Sequence, residues 1–199
     1  MSTEHATEEV TVETTPIVFK IDGTPNSATR MPDDVRIDRD ILIHTVAETE
    51  DGMRKRAVVD SPAFPGVAWS IACDEGPRLG GSESAPPPLS YFAAGVAFCL
   101  LTQLTRYHEV KKLKVRSIGL EQTMRFRRTG SVLAGTFEAR ALELRTVLDV
   151  RADEDPDTVA EIVRIGEQMC FAAQAITQEV PSTVEVLLNG HPLSNVKPA

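Results

Sequence analysis

Apolar residues recur at every second position near the start of the chain, where Ile17, Phe19 and Ile21 are spaced by Val18 and Lys20. Successive side chains of a strand point to opposite faces, so this spacing predicts a first strand. Residues 38–47 and 53–60 predict two more, joined at 48–52, where Asp51-Gly52 suits a tight hairpin turn. Pro62, Pro65 and Gly66 then interrupt the chain, 67–73 predicts a further strand, and 74–88 is a loop rich in glycine, serine and proline. The pattern changes at Pro88, which suits a first helical turn because its missing N–H has no partner there. Residues 89–109 predict a helix that is nearly all apolar up to Gln103. A helix without a polar face is expected to be buried on all sides. Its small residues Ala93, Ala94, Gly95 and Ala97 let neighbouring backbone approach, and packing accounts for Gly95, which costs about 1 kcal/mol of helix propensity relative to alanine.

Residues 115–127 and 132–152 predict two strands around a turn at 128–130. Asp155 is placed to cap a second helix, with Pro156 in its first turn and Asp157 favoured by the helix dipole. Ile162, Ile165, Met169, Ala172 or Ala173, and Ile176 mark its apolar face, mostly opposite Glu161, Arg164 and Glu167. Residues 182–188 predict a last strand. Residues 1–8 read as a frayed tail, and 9–199 as a single domain of α+β class without internal repeats. A wholly apolar helix in so small a domain needs more cover than one sheet gives, which predicts a homodimer.

Composition narrows the function. Of 199 residues, 42% are hydrophobic and 25% charged, as in a globular protein. With a net charge of −8 and a pI near 5.1, the chain has no electrostatic reason to seek nucleic acid or an anionic membrane. The basic run at 111–116 is broken by Leu113 and Val115 and reads as a solvated helix exit. The first fifteen residues are polar and acidic, unlike a secretory leader. The apolar stretch 91–104 is short for a bilayer span. A cytoplasmic protein is expected. His5, His44, His108 and His191 lack ligand spacing and there is no C-x-x-C pair, so neither a metal nor another cofactor is expected. In a reducing compartment the three cysteines are expected to be free, catalytic or redox-active.

Two of those cysteines lie on the predicted helices, where each, taken alone, reads as a small buried hydrophobe. Cys99 ends the small-residue run Ala93-Ala-Gly-Val-Ala-Phe-Cys99, which follows a loop containing Gly80-Gly81 and Pro88. Cys170 sits late in the second predicted helix, in Glu167-Gln-Met-Cys170-Phe. Over 67–177 these segments, in this order, resemble the OsmC/Ohr family of osmotically inducible and organic hydroperoxide resistance proteins. The resemblance implies antiparallel sheets wrapped around a central buried helix, in an intertwined homodimer. It also implies a thiol peroxidase in which Cys99 attacks an organic hydroperoxide and Cys170 resolves the sulfenic acid as a disulfide. A dithiol reductant, a lipoyl group or a small thiol, would reopen that bond. The family's activating arginine comes from the N-terminal strands; Arg56 and Arg54 are the candidates, ahead of Arg30 and Arg36.

The chain departs from the family where a glutamate usually anchors that arginine. Leu89 and Ser90 stand there, with Glu83 the nearest carboxylate in sequence, and Phe171 replaces a proline after the second cysteine. A second function is therefore carried forward, a non-peroxidase member of the fold binding a small apolar ligand or partner. No Cys-His-Asp arrangement can be assembled for another kind of cysteine enzyme. Cys73 reads as a core or edge cysteine; Trp69, Phe92 and Phe98 as core before pocket; Arg125, Arg127 and Arg128 as a solvated strand edge.

Overall fold

The structure is a computed structural model that describes residues 15–21, 38, 40–61 and 68–193. The chain divides into two compact units, Met1–Tyr91 and Phe92–Ala199. The tail expected at 1–8 and the secondary arginine candidates Arg30 and Arg36 lie outside the described residues.

The first unit carries a four-stranded antiparallel sheet in the order β1-β4-β3-β2, with β1 Val18–Ile21, β2 His44–Thr49, β3 Lys55–Asp60 and β4 Ala68–Cys73. The β2–β3 hairpin turns at Asp51-Gly52, as its sequence predicts; Gly52 has a φ of +57° and the Arg54 amide bonds to the Asp51 carbonyl at 3.0 Å. The pairing aligns Ala47 with Ala57 and Ile71, and Thr49 with Lys55 and Cys73. The strand predicted over 38–47 begins only at His44. Asp60, the last residue of β3, already faces His44, so among the described residues Ile41, Leu42 and Ile43 face no strand, and they are exposed.

After β4 the loop closes on Asp74, which is 1% exposed. Its carboxylate accepts the amide of Glu75 at 2.8 Å, and both the amides and hydroxyls of Ser82 and Ser84 at 2.7 to 3.1 Å. The loop contains one 3₁₀ turn, Pro77–Leu79, ended by Gly80 at a φ of +83°. A Cβ on Gly81 would lie 1.8 Å from the Glu75 carbonyl oxygen, so only glycine fits there. Helix α1, Pro88–Val110, follows, and Tyr91 in its first turn donates its hydroxyl to the Ala72 carbonyl at 2.6 Å.

The second unit holds the rest of α1, the hairpin β5 Val115–Thr129 and β6 Glu138–Ala152, α2 Pro156–Met169, α3 Phe171–Thr177, and a two-residue ladder of β7 Leu187–Leu188 with β8 His191–Pro192. Its core is a cluster of Leu100, Leu104, Ile162 and Cys170, against which Tyr107, Val115, Ile118, Leu120 and Leu148 pack. α2 starts as predicted: Asp155 accepts the Thr158 amide at 2.9 Å and Pro156 opens the helix. Gly166 lets it approach α1, since a Cβ there would sit 2.4 Å from a Leu104 methyl.

Several expectations need correction. Among the described residues Val96, Leu100, Gln103 and Leu104 of α1 are buried, while Phe92 and Phe98 are 46% and 67% exposed, so one chain alone does not cover the helix that was expected to be enclosed by a dimer. In the second unit its cover comes from one side only. Trp69, in the first unit, is also exposed rather than in a core. The second helix does not run through to Ile176 but breaks at Cys170, whose extended backbone separates α2 from α3. β6 begins at Glu138 because residues 131–136 form a wider turn, in which the Thr136 amide bonds to the Ser131 carbonyl at 3.0 Å. The last predicted strand shrinks to Leu187–Leu188, which finds a partner only across Asn189-Gly190.

Candidate functional site

Cys99 and Cys170 meet in the second unit. On α1, Cys99 stands three residues after the buried Val96 and four before the buried Gln103, and it packs against the same cluster that encloses Cys170. Cys99 is partly exposed and Cys170 fully buried, and neither is in a disulfide. Burial pushes the Cys170 thiol above its ordinary value; the Ala173 amide opposes the rise and the neighbouring Cys99 thiol adds to it. The pair thus combines an accessible sulfur with one that holds its proton. A cavity of about 580 Å³ lies along Cys170, lined also by Val96, Leu100, Gln122, Arg164 and Ile176.

Arg54 and Arg56 meet in the first unit. Arg54 Nε donates to Glu50 Oε2 at 2.6 Å and Arg56 Nε to Glu50 Oε1 at 2.7 Å, so one carboxylate orients both guanidiniums. The Arg56 guanidinium beside Glu50, then that of Arg54, holds the Glu50 carboxyl below its ordinary range. Arg54 Nη1 reaches Ser84 Oγ at 2.6 Å, linking the hairpin to the Asp74 loop, and Arg56 Nη1 donates to the buried Ser70 hydroxyl at 3.1 Å. Arg56 also stacks over the Phe19 ring, 5.8 Å from its centroid. Glu83, the carboxylate nearest to the helix start in sequence, instead folds back beside Gly76.

Glu50, Asp74 and Ser84 are the polar residues that the sequence reading missed. Glu50 was legible in principle, because it directly precedes the Asp51-Gly52 turn and a hairpin there brings it opposite the arginines. Asp74 gave no such signal.

Cys73 lines a second cavity, of about 500 Å³, with Ala47, Lys55, Ala57, Ile71, Pro88 and Tyr91. Burial, then the neighbouring Cys73, pushes the Tyr91 phenol up. Phe92 lines a third, of about 270 Å³, with Met124, Phe126, Leu142 and Ile176. Arg125 pairs with Glu143 across the strands at 3.3 Å, both exposed, in keeping with a solvated edge. Among the described residues no cluster of three His, Cys, Asp or Glu side chains could hold a metal.

The profile of the family described as OsmC-like protein covers residues 80–185, from Gly80 through Cys99 on α1 and past Cys170 between α2 and α3. No curated protein matches the chain. Among solved structures, the OsmC-like hydroperoxide resistance protein from Jannaschia sp. CCS1 superposes with a TM-score of 0.51 at 19% identity, covering 78% of this chain and 99% of that one. The organic hydroperoxide resistance protein OsmC from Legionella pneumophila gives 0.43 at 18% identity, covering 67% and 89%. With a profile match over more than half its length, the chain belongs to the OsmC-like protein family.

Proposed function

We propose that the chain is a thiol peroxidase that reduces organic hydroperoxides through Cys99 and Cys170. The observation that carries this reading is the meeting of a partly exposed thiol with a buried, proton-holding one in a single core. The Cys99 thiolate attacks the terminal oxygen of RO–OH. The O–O bond breaks, the alkoxide leaves with a proton as ROH, and Cys99 becomes a sulfenic acid. The Cys170 sulfur then attacks the Cys99 sulfur, the hydroxyl leaves as water with the Cys170 proton, and a disulfide remains. The two thiols have supplied the two electrons. A dithiol, lipoyl or small, restores them by exchange.

The attacking thiolate needs a positive charge, because apolar surroundings favour the neutral thiol. Arg56 and Arg54 are the proposed source, with Glu50 as their anchor in place of the carboxylate absent at Leu89 and Ser90. A homodimer is part of the reading, supported by the exposed Phe92 and Phe98 of α1. So is a cytoplasmic setting, in keeping with three free cysteines.

The test is peroxide loss from cumene hydroperoxide in the presence of dithiothreitol. The native chain should turn over many equivalents. Cys99→Ser should abolish turnover, and Cys170→Ser, assayed without dithiothreitol, should consume one equivalent to reach the sulfenic acid and a second, with excess peroxide, to reach the sulfinic acid. Arg56→Met should slow the native rate. Peroxide loss no faster than with dithiothreitol alone would overturn the reading. The alternative, a non-peroxidase member binding a small apolar ligand, is favoured by the largely apolar 500 Å³ cavity beside Cys73. Saturable binding of an apolar dye, released by Ala57→Trp, in a chain without peroxidase activity would establish it instead.

A further inference from the structure

The Cys170 sulfur has a structural duty besides its place next to Cys99. Cys170 closes α2, its amide bonding to the Glu167 carbonyl at 3.2 Å. Its backbone then leaves the helix, at φ −80° and ψ 106°. From there its Sγ accepts the Ala173 N–H at 3.4 Å and its carbonyl accepts the Gln174 N–H at 3.0 Å, which makes it the N-cap of α3. α3 has seven residues, none of them buried. A helix that short does not hold itself together, so its cap matters more than it would on a longer one. Ala173, Gln174, Ile176 and Thr177 of α3 form part of the wall of the 580 Å³ cavity along Cys170.

We propose that oxidation of Cys170 to the disulfide uncaps α3 and opens this wall, giving a reducing thiol access to the Cys170 sulfur, the buried end of the bond. The proposal rests on the Cys99–Cys170 disulfide of the proposed function. Cys99 is partly exposed, but with Cys170 at 0% exposure a second molecule reaches that sulfur only if a neighbouring element moves. Bond formation turns the sulfur toward Cys99 and makes its lone pairs less basic. The Ala173 N–H then loses its acceptor, one of the orphan donors that every helix start must satisfy. Held then only by the two small side chains of Ala172 and Ala173, partly buried against the core cluster, the first turn of α3 frays. An incoming thiolate attacks one sulfur of the pair and the other leaves as a thiolate. The second thiol of the reductant then displaces the mixed disulfide, so the reductant ends as its own disulfide and its two electrons rest on Cys99 and Cys170. The regenerated Cys170 thiol caps α3 again, and the opening belongs to the oxidised state alone.

Amide hydrogen exchange on the full chain, read by mass spectrometry over peptides spanning 171–177, tests this. Diamide serves as the oxidant, because it joins two thiols without needing peroxidase chemistry. The disulfide form, two hydrogens lighter, should exchange Ala173 and the amides after it about tenfold faster than the reduced form, with the amides around Ile162 unchanged. Cys170→Ser keeps an oxygen cap and should exchange as the reduced native chain does; Cys170→Ala should exchange fast without any oxidant. Unchanged α3 exchange in the disulfide form overturns the proposal. So do equal exchange in the serine and alanine variants, or failure of diamide to join the two thiols. A disulfide that forms with diamide but not with cumene hydroperoxide counts against the peroxidase alone and leaves the cap standing.

Discussion

At the scale of single residues, the two cysteines should differ in reactivity for reasons visible in their surroundings. Cys170 is fully buried and its thiol is pushed up by that burial, whereas Cys99 is partly exposed. Iodoacetamide at neutral pH should therefore label Cys99 faster than Cys170, because the Cys170 sulfur is enclosed and its thiol is pushed up. Peptide mapping of a short labelling time course checks this, and equal rates would refute the ordering. Asp74 makes a second prediction, through pH. The Ser82 hydroxyl first, then the Ser84 and Glu75 amides, hold its carboxyl well below the usual range. A group whose folded pKa is depressed contributes stability that is fully present above its unfolded value near 4 and is lost as pH falls through the folded value. Asp74→Asn should lower stability at neutral pH and remove part of the loss seen on acidification below about pH 4. Thermal melts from pH 7 to pH 2 read both effects, and parallel curves for variant and native chain would contradict the assignment.

At the scale of elements, the packing of α2 on α1 should be tight enough to punish a single methyl. Gly166→Ala brings a Cβ to within 2.4 Å of a Leu104 methyl, and overpacking of this kind costs about 1–3 kcal/mol. Ile162→Ala at the same contact, where the residue is 0% exposed, removes a buried side chain and should cost about 2–5 kcal/mol. Urea denaturation of both variants gives the values; a neutral Gly166→Ala would mean that Leu104 has room to turn away. The start of α2 was legible because Asp155-Pro156 states it in local chemistry, a capping carboxylate followed by a residue that needs no N–H partner. Its end was not. Neither glycine nor proline marks Cys170, and the apolar spacing from Ile162 to Ile176 continues across the break. A thiol that caps one helix while ending another leaves no trace in periodicity. The strand expected from residue 38 failed for a related reason: β propensity is readable in Ile41, Leu42 and Ile43, but whether a partner strand reaches them is not. The Cys99 and Cys170 contexts were legible through resemblance, and their meeting is a product of the α1–α2 packing. Glu50 shows the remaining gap, since a carboxylate can serve two arginines from a position that the family pattern does not mark.

At the scale of the whole molecule, the second unit exposes more large apolar side chains than a lone chain in water tolerates well. Phe92 and Phe98 on α1, Phe126 on β5, Leu142 and Leu144 on β6, and Phe171 and Ile176 on α3 are each between 37% and 67% exposed. Isolated exposed apolar residues are ordinary, but a set of this size spread over the elements of one unit is the surface on which the proposed homodimer would form. A second copy is the simplest partner, and it would supply the cover that α1 was expected to need. Sedimentation at micromolar concentration should give twice the monomer mass of 21.7 kDa. Because only the folded dimer would bury these side chains, the melting temperature should rise with protein concentration. Phe98→Arg replaces the most exposed aromatic of α1 with a charge that a dimer core would reject. It should shift the sedimentation profile to monomer and abolish the concentration dependence. The native mass and this variant together decide the matter. A native monomer whose melting temperature is independent of concentration would leave the apolar surface to a partner of another kind.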